Sequence, residues 1–286
     1  MKYAGERPSG QRYGVKRPGA RCVVAILVLS VFVAPIPFDA AAEPERDRFD
    51  MVVIDAGHGG EDEGARGGRG LEEKVLVLDV AKRVAKRLRA AGVSVTMTRS
   101  DDTFVPLELR TSLANDARGD LFISVHANSA PDPGPSGIET FFVSPDSSDE
   151  AARRVATREN EAFGQAGTAR PSEDPFVALL GGMIVSEHVT ESSEFSKIVQ
   201  TELSRVQGAG RRGVKQAPFV VLMGVQMPAS LIEIGFLSNP QDERALESDA
   251  RRDAIANAIA SAVREFGKRY DARRGVGSLP RKSSGG

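Results

Sequence analysis

The sequence predicts one α/β domain, a twisted and largely parallel sheet flanked by helices, with a ligand site at the carboxyl ends of the strands. Three observations carry this. Short apolar runs alternate with stretches of helical periodicity, two of those runs end at a histidine, and the chain of 286 residues is 41% hydrophobic and 27% charged, as folded globular chains are. A formal charge of −1 argues against an extended phosphate-neutralising surface, and a single cysteine excludes a disulfide framework.

The elements follow in order. Residues 1–21 carry six basic residues and one acid, Glu6; an apolar run from Cys22 to Ala34 and the small residues Ala40, Ala41 and Ala42 come next. This is the pattern of a secretory signal peptide, 1–42. An uncleaved anchor is the alternative, but the run is short of the roughly 20 residues a membrane span needs. Cys22 lies in this leader, so the mature chain has no thiol, which suits an oxidising compartment. Residues 43–50 read as a linker, 51–268 as the domain and 269–286, almost without apolar residues, as a disordered tail.

Within the domain, Met51–Ala56 (MVVIDA) predicts a buried strand entering the loop Gly57-His58-Gly59-Gly60. Leu71–Ala91 has helical periodicity and stops at Gly92. Val93–Thr98 predicts a strand, Leu107–Ala117 a helix, Asp120–His126 a second buried strand, and Gly137–Val143 a strand suited to the sheet edge. Helices are expected near 149–163 and 192–206, strands at Phe219–Met223 and Ala229–Ile234, and one closing helix over 241–267. Residues 144–191 stand apart: rich in charge and small residues, with Gly164, Gly167, Pro171 and Pro175 interrupting any long helix.

The chemistry begins with three histidines in the whole chain, His58, His126 and His188. The first two each follow a buried strand, in VVIDAGHGG and LFISVHANS, where parallel α/β sheets collect ligands. One such histidine reads as a backbone cap; two in matching contexts read as metal ligands. A catalytic zinc takes three protein ligands and keeps a fourth position for water. Glu72 and Glu73 are the candidates for the third, although acids in a first helical turn are also favoured by the helix dipole. With Glu73 as zero, Val77, Val80, Val84 and Leu88 fall at about 40°, −20°, 20° and 60° at 100° per residue. Glu73 thus continues the apolar stripe, and Glu72 lies with Asp79, Arg83 and Lys86 on the charged side. An acid on a buried face is costly unless paired or metal-bound, which selects Glu73.

Glu233 is a second misplaced acid, in the apolar run ASLIEIGFLS. Burial raises a carboxylate's pKa towards the range useful for proton transfer, so Glu233 reads as a general base, or as one half of a buried pair with an arginine. His188 reads as an ordinary surface or loop histidine. The glycine-rich loop has neither the third glycine of a dinucleotide fingerprint nor a phosphate-loop Gly-Lys-Ser/Thr.

Together, IDAGHGGEDEGARGGRGLEEKVLVLDVAKRV, LRTSLANDARGDLFISVHANS and PASLIEIGFLSNPQDERAL resemble the zinc-dependent N-acetylmuramoyl-L-alanine amidases, the bacterial cell-separation amidase family, over about Met51 to Phe266. The resemblance implies one Zn2+ on His58, Glu73 and His126, Glu233 as the catalytic glutamate, and peptidoglycan as substrate, cut between N-acetylmuramic acid and L-alanine in wall remodelling and daughter-cell separation. It places Arg110 and Asn115 as structural residues and Asn128 in substrate binding or loop capping. It leaves no room for a separate wall-targeting domain. The 144–191 segment falls where divisome-controlled relatives carry a helix whose glutamate blocks the metal; Glu150, Glu159, Glu161 and Glu187 are the candidates. An envelope-spanning activator would displace it, and the periplasm is the expected location. The rival readings are a non-catalytic wall-binding protein on the same fold and a zinc peptidase acting on another peptide-like substrate.

Overall fold

A computed structural model describes residues 48–164, 175–208 and 210–276, without side-chain detail over 162–187 and at residue 211. The signal-peptide reading of 1–42 lies outside the described residues. Six strands form one sheet in the order β2-β1-β3-β6-β4-β5. They are β1 (Met51–Ala56), β2 (Ser94–Met97), β3 (Leu121–Asn128), β4 (Ile138–Val143), β5 (Arg211–Ala217) and β6 (Ala229–Phe236). All neighbours are parallel except β4 against β6. The helices are α1 (Glu73–Ala90), α2 (Leu107–Asp116), α3 (Glu150–Gly164), α4 (Pro175–Leu203), α5 (Val220–Met223), α6 (Pro240–Leu246) and α7 (Asp249–Arg273).

Strand pleating sends alternate residues to opposite faces, and each face has its own core. Val52 and Ile54 of β1, Leu121, Ile123 and Val125 of β3 and Ile232 and Ile234 of β6 pack under α1, α4 and α7, against side chains such as Leu76, Phe195, Val199, Ile259 and Phe266. Val53, Phe122, Phe141 and Leu231 take the other face with Ala114 of α2, Val155 of α3 and Leu222 of α5. The same parity puts Asp55, Ser124, His126, Asn128, Glu139 and Glu233 on this second face. All six are buried. The alternation therefore segregates the polar chemistry to one side, beneath α3.

Several expectations are corrected. Gly137–Val143 is no edge strand: β4 lies between β6 and β5. The edge is β5, whose sequence RRGVKQA is too polar to read as a strand because an edge needs little burial. The apolar run Phe219–Met223 is not a strand but the short helix α5 with Phe219 as its N-cap, since β5 already occupies the last ladder position. The closing helix is two, broken at Glu247 and Ser248 between α6 and α7. The domain is also longer at both ends than 51–268. α7 runs to Arg273, with Tyr270 buried, and Phe49 packs edge-on to Phe266 and Tyr270 while its N–H donates to Asp271. Tail and linker composition hid these contacts because Phe49 and Tyr270 are single aromatic residues in otherwise polar sequence. Finally, α4 starts at Pro175, inside the segment expected to hold no long helix; proline is tolerated in a first helical turn.

Candidate metal centre

Glu73 opens α1 and is fully buried, whereas Glu72 is partly exposed and lies 3.3 Å from Arg66. The loop before α1 is fixed by Glu243 of α6, whose carboxylate accepts from the N–H of Arg69. Both Glu73 oxygens accept backbone donors, Oε2 from Ala65 (2.8 Å) and Oε1 from Ala127 (2.9 Å). His58 follows β1 in a left-handed conformation (φ 58°), a strained state for a non-glycine residue, and its Nδ1 is 2.9 Å from Asp62. Two buried guanidinium groups hold that turn. Arg99 donates to the carbonyls of Ala56 and Gly57, and Arg110 to those of Ala56 and His58. Arg110 is anchored in turn on Asp55 (2.8 Å), which also accepts from Thr98 and Ser124. Gly57 has no alternative: a Cβ there would lie 2.3 Å from the His126 ring.

These supports bring His58 and His126 together with ring centroids 4.9 Å apart, both facing Glu73 Oε1 at 3.1 Å. A fourth group arrives from α3. Glu159 Oε2 lies 3.2 Å from His58 Nε2 and 2.9 Å from His126 Nδ1. One ligand atom from each of the four residues lies within 4.8 Å of all the others. Tetrahedral zinc ligands about 2.1 Å from a common centre stand roughly 3.4 Å apart, so these spacings suit that ion. His58 Nε2, Glu159 Oε2 and both Glu233 oxygens are buried without an aligned hydrogen bond. Buried polar atoms are rarely left so, and two imidazoles with two carboxylates are a donor set for a borderline divalent cation.

The electrostatics agree. Burial alone would lower both imidazole pKa values, but Glu73 drives His58 well above its ordinary value, and Glu159 lifts His126 to about 10. Burial pushes Glu73 up, yet His58 pulls it down to about 2. The two carboxylates thus favour positive charge where the four ligand atoms meet. Glu233, on β6, is directly across from His126 of β3 on one side and Glu139 of β4 on the other. Burial, reinforced by Glu159, raises its pKa well above the usual carboxylate range despite Arg158. Arg158 Nη2 is 3.8 Å from Glu233 Oε1, 2.7 Å from Glu159 Oε1 and 3.1 Å from Asn128 Oδ1.

Of the three regulatory candidates whose side chains are described, Glu159 enters this cluster and the other two do not. Glu150 pairs with Arg153 and Arg154 at the exposed start of α3, Glu161 is exposed, and the side chain of Glu187 is outside the described ones. His188 lies on α4, not in a loop, 3.6 Å from Glu191. Asn115 ties α2 to the loop after α5 through Gly224 and Gln226. Sequence reading missed Arg158, Glu139 and Asp62. Glu139 carried the signal that exposed Glu233, an acid in an apolar strand (GIETFFV). Arg158 carried none, since an arginine on a charged helix reads as solvated.

Comparison with known proteins gives the class. The family model for N-acetylmuramoyl-L-alanine amidase matches residues 52–265, and the chain belongs to that family. It is 35% identical over 223 residues to N-acetylmuramoyl-L-alanine amidase AmiA of Escherichia coli (strain K12), covering 77% of each chain. It is 33% identical over 220 residues to AmiC of Neisseria meningitidis serogroup B, covering 77% of this chain and 53% of that one, so it spans about half the length of that relative. Among solved structures, AmiC2 of Nostoc punctiforme aligns with 77% of this chain and 97% of its own at 28% identity and a TM-score of 0.59. Among the described residues no helix is long and apolar enough to cross a membrane.

Proposed function

We propose that this chain is a secreted, zinc-dependent amidase that cuts peptidoglycan between N-acetylmuramic acid and L-alanine, and that it is held inactive by α3. His58, Glu73 and His126 would hold the ion. When bound, zinc supplies a Lewis acid and makes water a nucleophile near neutral pH. Glu233 does the proton work: it takes a proton from the attacking water and delivers it to the alanine nitrogen as the C–N bond breaks. Its buried position and raised pKa suit that exchange.

The observation that carries the regulatory reading is Glu159, which completes the four-residue cluster from α3, a helix that lies wholly within the inserted segment. A carboxylate there competes with water for the open position. α3 is clipped in place by Asn160, which donates to Pro218 O and accepts from Val220 N–H, and by Asp149, 3.0 Å from Lys215. An envelope-spanning activator that engages this segment would release the site. The leader, if cleaved, delivers the enzyme to the periplasm.

The test is digestion of purified sacculi with identification of products by mass. Glu159→Ala should raise basal release of stem peptides at least tenfold, and chelator should abolish it. Zinc binding without product release by Glu159→Ala would favour the non-catalytic reading, and cleavage at a different bond would favour a peptidase.

A further inference from the structure

We propose that Asn128 accepts the N–H of the scissile amide, and that Glu139 is a positioning residue that turns the Asn128 carbonyl towards the cleft. This rests on the amidase reading above and names a contact within its site.

Asn128 is fully buried at the end of β3, on the same sheet face as His126 and Glu233, where a register shift separates it from His126. Its amide is held in one orientation from both ends. Nδ2 donates to Glu139 Oε2 at 3.2 Å, and Oδ1 accepts from the N–H of Ser129 at 2.8 Å. Glu139 is itself buried, with Oε1 2.8 Å from Arg212 and 2.9 Å from Lys215. A carboxylate paired with two cations offers acceptors only, so it can meet the amino end of Asn128 and not the carbonyl end. The remaining lone pair of Oδ1 faces α3, on the side of Glu233 and the histidines.

In the closed state that lone pair takes Arg158. One nitrogen, Nη2, bridges Asn128 Oδ1 and Glu159 Oε1 and lies 3.8 Å from Glu233 Oε1, while the second Glu159 oxygen rests on the two histidines. An oxygen towards the metal ligands and an N–H nitrogen between Glu233 and Asn128 is the arrangement a scissile amide requires. Its carbonyl must reach the ion, and its nitrogen must face the group that protonates it. As water adds and the C–N bond breaks, an N–H fixed on Asn128 leaves the nitrogen lone pair free to take the proton from Glu233. Buried polar groups tuned to a substrate N–H reject the analogue that lacks it. Asn128 should therefore discriminate an amide from the isosteric ester.

The experiment uses the full chain carrying Glu159→Ala and Glu233→Gln, which opens the site and slows turnover, loaded with zinc. Binding is measured for a muramoyl-L-alanyl peptide and for its depsipeptide, in which L-lactate replaces alanine. The amide should bind roughly three- to tenfold tighter, the range of one net hydrogen bond. Asn128→Ala should bring the ratio to one, and the Glu139→Gln, Asn128→Asp pair, in which the introduced glutamine amide can donate to the new carboxylate, covers the case in which the alanine variant does not fold. Glu139→Gln should lower the ratio, and adding Asn128→Asp should restore it, a rescue that a purely structural role for Glu139 would not give. Equal binding of the two ligands by the parent, a ratio that survives Asn128→Ala, or failure to bind either ligand overturns the proposal. Product release by Glu159→Ala without amide preference overturns this contact alone. Absence of both binding and release overturns the amidase reading with it.

Discussion

Each acid in this molecule has its role set by its neighbours. Glu73, Glu139, Glu159 and Glu233 are all nearly or wholly buried, yet they face different partners: imidazoles, cations, imidazoles with Arg158, and Arg158 alone. Burial pushes Glu73, Glu159 and Glu233 up alike, but the histidines pull the first two below the ordinary carboxylate range, whereas Glu233 ends well above it. Replacing it with Gln should leave zinc content unchanged and lower stem-peptide release by at least a hundredfold, the lower range for loss of a general acid–base; an active variant removes Glu233 from the mechanism. Asp55 behaves in the opposite way. Burial pushes its pKa up, but Arg110, Thr98 and Ser124 outweigh that and hold it below its ordinary value of 3.8. Its contribution to stability is thus present above that value and is lost as pH falls through the lower folded value. Asp55→Asn should cost about 3–5 kcal/mol at neutral pH, because Arg110 stays buried without its partner. It should also flatten the acid limb of the stability curve below pH 4, as read by denaturant titration at a series of pH values.

Among the elements, α3 differs from the others in what it rests on. α1 and α7 bury continuous apolar faces, whereas α3, among its described side chains, lends Ala152, Val155 and Ala156 to the second core and puts Arg158, Glu159 and Asn160 into polar contacts. A helix held by a few directed bonds opens at lower cost than one held by a broad apolar face. Asn160→Ala removes both bonds to the 218–220 turn and should raise basal activity several-fold while the melting temperature of the domain moves by only a few degrees. Unchanged activity with normal zinc content would separate that clip from the lock. The sequence marked this segment as different, through its charge and its glycines and prolines, but gave four glutamates equal standing. Which one reaches the imidazoles depends on how α3 docks across the sheet, a matter of non-local packing.

For the whole molecule, the centre joins the end of β1, the start of α1, the end of β3 and the middle of α3. An ion held by all of these binds the folded chain alone, so its binding energy adds to stability. Adding zinc to chelator-treated protein at a hundred times its dissociation constant should stabilise it by about 2.7 kcal/mol. Calorimetry should show that Glu73→Ala removes most of this gain; an undiminished gain would place the ion elsewhere. The sequence by itself determined the α/β class, the strand-end histidines and the two acids that break apolar patterns, because strand and helix periods are local and a carboxylate in an apolar stripe is conspicuous. It misjudged Phe219–Met223, the polar edge strand β5 and the domain ends, where neighbours rather than local pattern choose the state. Only the tertiary structure decided that Arg158 and Glu159 would meet Glu233 and the histidines, and that Glu139 would face Asn128. Those meetings depend on strand order and helix docking, which bring together side chains that no spacing along the chain relates.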